Sequence, residues 1–206
     1  MDFDFLILPF RFLFMQKAFV IALVVAIPAA LLSCFLVVKG WALMGDAISH
    51  SVLPGVVIAY ACGLPVILGA FVTGMTCAIA TGYIADHCRV KHDSIMGIIF
   101  SGMFGLGIVL YMSLDTNVHL DQILFGNILG VGTDDIVFAG MISVVVVTAL
   151  LLKLHDLILH SFDPMQVQTA GLSNKFIRYM LLAAISVTVV ATLNTTGLIL
   201  AIGLMI

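Results

Sequence analysis

The chain has 206 residues, 63% of them hydrophobic and only 9% charged, with a mean hydropathy of +1.26. Those values exclude a soluble globular domain and define an all-α, polytopic helical membrane protein, with one transmembrane domain over residues 1–206. A net charge of −3 gives no sign of nucleic-acid binding or of a polybasic lipid-binding surface.

The N-terminal stretch MDFDFLILPFRFLF lacks the basic region and small-residue cleavage site of a signal peptide. Residues 1–17 are expected to form an interfacial segment ahead of the first span. Ala18–Val38 is long and uncharged enough to cross a hydrocarbon core of about 30 Å. Gly40–Gly63 forms a second span interrupted by Asp46, His50 and Pro54. Pro65–Ile84 and Ile95–Met112 are third and fourth spans, both rich in small residues that allow close helix packing. Ile136–Leu152 and Ile177–Leu193 complete a set of six. Gly197–Ile206 is only ten apolar residues, about half of a span, so a truncated seventh helix and a fragmentary chain are expected.

Orientation follows from Lys and Arg in the short connections. Arg89 and Lys91 follow span three; Lys153, Lys175 and Arg178 lie between spans five and six. The connection after span four contains Asp and no Lys or Arg. The first two regions are therefore expected to be cytoplasmic and the third external. Arg11 and Lys17 then fall outside, against the rule. The four cysteines, Cys34, Cys62, Cys77 and Cys88, form no CxxC pair, which argues against a disulfide framework or a zinc knuckle.

An ionisable residue at membrane depth costs about 2.5–3.5 kcal/mol on insertion scales. Asp46 and His50, in GDAISHSVLPG, are one helical turn apart and share a face, with Ser49 beside them. A carboxylate and an imidazole suit a first-row divalent metal. Pro54 cannot donate to the His50 carbonyl four residues earlier, which offers a third oxygen. The bland alternative is a polar pair that holds two helices together by hydrogen bonds.

Between spans five and six, HSFDPMQVQTAGLS specifies a short self-capped helix within residues 160–173. Asp163 fits the N-cap, Pro164 the first helical position and Gly171 the C-terminal stop, with Gln166 in the body. Such a rigid element suits docking to another protein, or simply lies at the membrane surface. His87, Cys88 and His92 read as a solvated loop rather than a metal site. His119 and Asp121 read as a satisfied external pair or a point where a cation first arrives, and His155 and His160 as interfacial residues. No GxxxxGK(S/T), HExxH or GxSxG occurs, so the P-loop, metallopeptidase and serine hydrolase signatures fail. A membrane chain with a metal-like pair and no catalytic signature is most like a permeation unit.

The stretches LLSCFLVVKGWALMGDAISHSVLPGVVIAY, SGMFGLGIVLY, VHLDQILFGNILGV, HSFDPMQVQTAGL and TTGLILAIGLMI together resemble the membrane permease of bacterial ABC importers for manganese, iron or zinc. The KGWALMGD pattern places the resemblance nearest the manganese and chelated-iron branch. The resemblance implies that Asp46 and His50 contact the metal in the translocation path. It implies that Asp163–Gly171 is the coupling helix for a separate ABC ATP-binding subunit in the cytoplasm. The implied partners also include an extracytoplasmic metal-binding protein and a second permease, identical or paralogous. Arg11, Lys17, His119 and Asp121 then become candidates for docking the binding protein. The implied cargo is Mn2+, Fe2+ or, less in keeping with the sequence, Zn2+, with no permanently bound cofactor and no enzymatic activity on this chain. The implied location is the bacterial cytoplasmic (inner) membrane. Family members run several tens of residues further. The rival readings are a proton-coupled secondary metal transporter and an intramembrane metalloenzyme, the latter needing three protein ligands around a water.

Overall fold

A computed structural model describes residues 12–41, 43–113 and 132–205. Among them every regular element is helical. In chain order these are α1 (Leu13–Lys39), α2 (Met44–Ser51), α3 (Leu53–Ala61), α4 (Val66–His87), α5 (His92–Ser113), α6 (Thr133–Leu152), α7 (Leu154–Phe162), α8 (Pro164–Thr169) and α9 (Asn174–Met205). Five of the helices are long and apolar enough to cross a membrane: α1, α4, α5, α6 and α9.

The expected second span is present as two short helices. Val52 separates α2 from α3, and Pro54 occupies the first turn of α3, where its missing N–H leaves no ladder bond broken within that helix. Together residues 44–61 reach about 27 Å at 1.5 Å per residue, so the broken pair still covers most of an apolar core. The expected separate seventh helix does not form. Residues 174–205 are one continuous helix of 32 residues, so the segment from Gly197 prolongs the sixth span instead of starting another. Leu13–Lys17 of the expected interfacial stretch form the first turns of α1, and residues 1–11 lie outside the described residues.

The helices pack around α9. Leu181, Leu182, Ile185 and Val189 on α9 are almost fully buried and form one core with Leu32 and Leu36 of α1, Met44 and Ile48 of α2 and Leu150 of α6. In contrast α5 and α6 present Ile98, Val109, Val144 and Leu152 outward, each more than half exposed. An apolar side chain facing outward is at ease against lipid tails.

Two details show how the backbone is satisfied. Pro28 lies inside α1 and cannot donate to the Val24 carbonyl one turn earlier. The Ser143 hydroxyl of α6 donates to that carbonyl at 2.7 Å, so a second helix repairs the gap. Between α3 and α4 the backbones touch at Gly55 and Gly69. A Cβ on either glycine would run into the carbonyl oxygen of the other, so any larger residue forces the two helices apart.

Replacing Ser143 with Ala strands the Val24 carbonyl in an apolar contact. The expected cost is about 1–2 kcal/mol, read as a lower melting temperature in detergent. Thr148→Ala, which removes only a bond from an exposed hydroxyl to its own helix, should leave the melting temperature near that of the parent.

Candidate metal site and the basic end of the bundle

The helical repeat of α2 places Asp46 and His50 together, as their spacing predicts. His50 Nε2 lies 3.2 Å from Asp46 Oδ1, and the two side chains are 25% and 33% exposed respectively. Two donors sharing one first-row ion at about 2.1 Å and 90–109° stand about 3.0–3.4 Å apart. The pair therefore already has the separation of two ligands on a common cation.

The imidazole is held by its surroundings. Phe100 and Phe104 of α5 each approach its ring with centroids at 5.3 Å, one tilted and one edge-on. The two phenylalanines are one turn apart on α5, so they wall the same side of the site. His50 Nδ1 is buried without a hydrogen-bond partner. Ser49 is only 2% exposed, and its hydroxyl donates to the Gly45 carbonyl at 2.7 Å, so its proton is committed within the helix. The His50 carbonyl receives the Val52 N–H; the oxygen expected to be free has one partner already. Among the described residues no group of three His, Cys, Asp or Glu is gathered anywhere. The described residues thus gather two candidate side-chain ligands at this point, fewer than the three of a catalytic zinc site.

A second polar region joins the ends of α1, α4, α5, α7 and α9. A cavity of about 640 Å³ is lined there by Lys39, Trp41, Asp86, His92, His160 and Arg178, among others. Arg178 clasps Asp86 with both guanidinium nitrogens, one of them at 2.6 Å from Asp86 Oδ1. Lys39 Nζ donates to the His160 carbonyl at 2.6 Å, tying the end of α1 to the last turn of α7. A solvated loop is expected for His92 and an interfacial position for His160; the structure overturns the first and adds that His160 is buried. His92 opens α5, stacks on Trp41 at 5.0 Å and has a buried, unpaired Nε2. His160 is 4% exposed, and its ring has only Asn174 as a partner. Burial, then the charge of Lys39 and, less, that of Arg178 push its pKa down to about 4, opposed by a hydrogen bond with Asn174. No sequence signal links these residues, because 39, 92, 160 and 178 belong to four different helices. His87 does behave as a surface residue, donating from Nδ1 to the Tyr83 carbonyl at 2.8 Å, and Cys88 is exposed.

The short helix α8 is built as its sequence implies. Asp163 Oδ1 accepts the backbone N–H groups of Met165 and Gln166 at 3.0 and 3.1 Å, which caps the N-terminus. At the other end Gly171 has φ 76°, and the Leu172 N–H reaches back to the Val167 carbonyl at 3.1 Å, the bond of a glycine-terminated helix. Val167 is fully buried and joins the main core, whereas Met165, Gln166 and Thr169 are exposed. One apolar anchor thus holds the element while its remaining surface stays open. Pro164 begins the helix. Lys17 lies in the second turn of α1, half-buried. Arg11, His119 and Asp121 lie outside the described residues.

The fold and the ionisable pair define a multi-pass membrane protein of the transporter type. The profile of the ABC 3 transport family matches residues 11–206, and the chain belongs to that family. It is 48% identical over 198 residues to the chelated iron transport system membrane protein YfeD of Yersinia pestis, covering 96% of this chain and 67% of that one. It is 42% identical over 204 residues to the manganese transport system membrane protein MntB of Synechocystis, covering 98% and 66%. The chain therefore spans about two thirds of the length of these relatives. Among solved structures, PsaBC from Streptococcus pneumoniae in complex with Fab superposes with a TM-score of 0.81 at 34% identity, covering 95% of this chain and 71% of that one.

The lowered pKa of His160 has a consequence for stability. An unfolded histidine takes up its proton near pH 6.5, whereas the folded one resists until about pH 4. Between those values the unfolded state binds more protons, so stability falls as pH drops from about 6.5 towards 4, by on the order of 3 kcal/mol at the limit. Melting temperatures across that range should show the decline in the parent chain and a flatter profile in His160→Gln.

Proposed function

We propose that this chain is the membrane permease of an ATP-driven importer that carries a divalent transition metal into a bacterial cell across its cytoplasmic membrane. The carrying observation is the Asp46–His50 pair, partly exposed on a broken helix and already spaced as two ligands of one cation. Family membership and the relatives' transport of chelated iron and manganese support Mn2+ or Fe2+ as cargo ahead of Zn2+. In the proposed mechanism the Asp46 carboxylate offsets the cost of stripping water from the cation. The neutral His50 supplies nitrogen and must lose any proton before it binds. Phe100 and Phe104 keep the ring from turning away.

Two ligands hold a passing cation weakly, which suits a path that must also release it. A second permease facing the first would bring another carboxylate and imidazole, giving four ligands across a shared path. That arrangement also explains why a costly pair sits partly exposed on one bundle: a second copy or a water-filled path covers it. No ATP-binding motif occurs in this chain, so the energy must come from a separate ATP-binding subunit. The capped helix α8, with Met165, Gln166 and Thr169 outward, is the proposed dock. An extracytoplasmic metal-binding protein would deliver the cargo, with Arg11, Lys17, His119 and Asp121 as its proposed contacts. The basic end of the bundle, with Lys39 and Arg178, is then cytoplasmic.

Uptake of radioactive manganese or iron in cells lacking their own importers tests the pair. Asp46→Asn and His50→Gln should each lower uptake at least roughly tenfold, while the complex still purifies intact. Parental uptake in both variants would overturn the reading. For α8, Gly171→Val puts a branched side chain where φ is positive and disrupts the cap. The ATP-binding subunit should then co-purify poorly, with uptake falling in proportion.

A further inference from the structure

The basic end of the bundle contains a cavity whose lining includes neither Asp46 nor His50. Its charged lining is Lys39, Lys175 and Arg178 against the single carboxylate of Asp86. With the histidines neutral, three cations and one anion leave a local charge of +2. That sign repels a metal ion and attracts an anion. Arg178 is engaged with Asp86, but Lys39 has given only one of its three N–H groups, to the His160 carbonyl. Lys175 is exposed.

Around these charges stand polar atoms that the protein itself satisfies poorly: His92 Nε2 is buried without a partner, and His160 and Asn174 have only each other. Buried polar groups are nearly always hydrogen-bonded, and a neutral imidazole has one N–H to donate. His160, at 4% exposure, is almost entirely enclosed beside the Asn174 amide, whereas the buried His92 Nε2 has no protein partner and lines the cavity. Lysine ammonium, imidazole N–H and the Asn174 amide, whose two ends can exchange, converge as donors on one space.

We propose that this cavity binds a phosphate group, supplied by the headgroup of an anionic phospholipid. The cavity lies at the ends of the membrane-spanning helices, where a lipid phosphate is also found. Trp41 forms one wall, as aromatic rings do at membrane interfaces. Apolar side chains stand outward on the neighbouring turns: Val37 at 63%, Tyr83 at 57% and Phe176 at 63% exposure. The Tyr83 ring packs on His87, a lining residue, at 4.3 Å between centroids. A headgroup in the cavity can therefore keep its acyl chains on an apolar surface. Basic pockets between spanning helices on the cytoplasmic side are suited to anionic headgroups. Because α7 contributes His160 and leads directly into α8, an occupied cavity also braces the base of that short helix.

The test uses the full chain, purified and delipidated in a neutral detergent, then titrated with phosphatidylglycerol or phosphatidylcholine of matched acyl chains. Bound lipid is counted by native mass spectrometry. Phosphatidylglycerol should be retained and phosphatidylcholine lost. Lys175→Gln, an exposed change that leaves the fold intact, should weaken phosphatidylglycerol binding roughly fivefold, and Lys39→Gln/Lys175→Gln roughly thirtyfold. Lys153→Gln, at an ion pair with Asp156 outside the cavity, should change nothing. Equal retention of both lipids, or unchanged affinity in Lys175→Gln, overturns the proposal. Binding of radiolabelled inorganic phosphate at these residues without any preference for phosphatidylglycerol overturns the lipid source.

Discussion

A proline in an apolar helix leaves the carbonyl one turn earlier without its donor, and lipid offers no water to replace it. The architecture answers this constraint in two ways. At Pro28 the chain keeps its helix and borrows a hydroxyl from α6, so α1 and α6 are joined at a fixed level by Ser143. At Pro54 the chain gives up helix continuity. α2 ends, α3 begins, and the break falls beside the only pair of ionisable side chains that α2 carries. One proline thus welds two helices together, and the other opens a place where a carboxylate and an imidazole are useful.

The rest of the bundle supports that place. α9 is the packed centre, and α2 rests on it through Met44 and Ile48. α3 is pressed against α4 by the contact between Gly55 and Gly69, and α5 supplies the aromatic wall behind His50. A misplacement of any of these moves α2, and with it the imidazole relative to its aromatic wall. The position of the pair therefore depends on small residues as much as on its own side chains.

At the opposite extreme of polarity, the basic end joins five helices through few bonds. Lys39 reaches the His160 carbonyl and Arg178 clasps Asp86, yet His92 Nε2 remains unpaired. The same region connects to α8, so events there and at the proposed dock are mechanically close. The Asp46–His50 pair carries a carboxylate, whereas the basic end carries Lys39, Lys175 and Arg178 against Asp86, so the two polar regions of one small bundle have opposite electrostatic character.

Composition alone determined the membrane class, because 63% hydrophobic residues cannot be covered by the polar surface of a soluble fold. Spacing alone placed Asp46 beside His50, and Asp163, Pro164 and Gly171 at the ends of α8, because helix periodicity and capping are local. The same local rules misjudged the C-terminal end. A ten-residue apolar run reads as half a span, whereas the continuous backbone makes it the end of α9. They also misjudged His92 and gave no sign of the burial of His160, because both depend on helices distant in the sequence. Only the tertiary structure decided that Ser143 completes Val24, that Phe100 and Phe104 face His50, and that Lys39, Lys175 and Arg178 form a local positive charge inside a chain of net −3. The physical reason is common to all three: hydrogen-bond satisfaction, aromatic packing and local potential depend on distances between helices, and a linear sequence does not contain those distances.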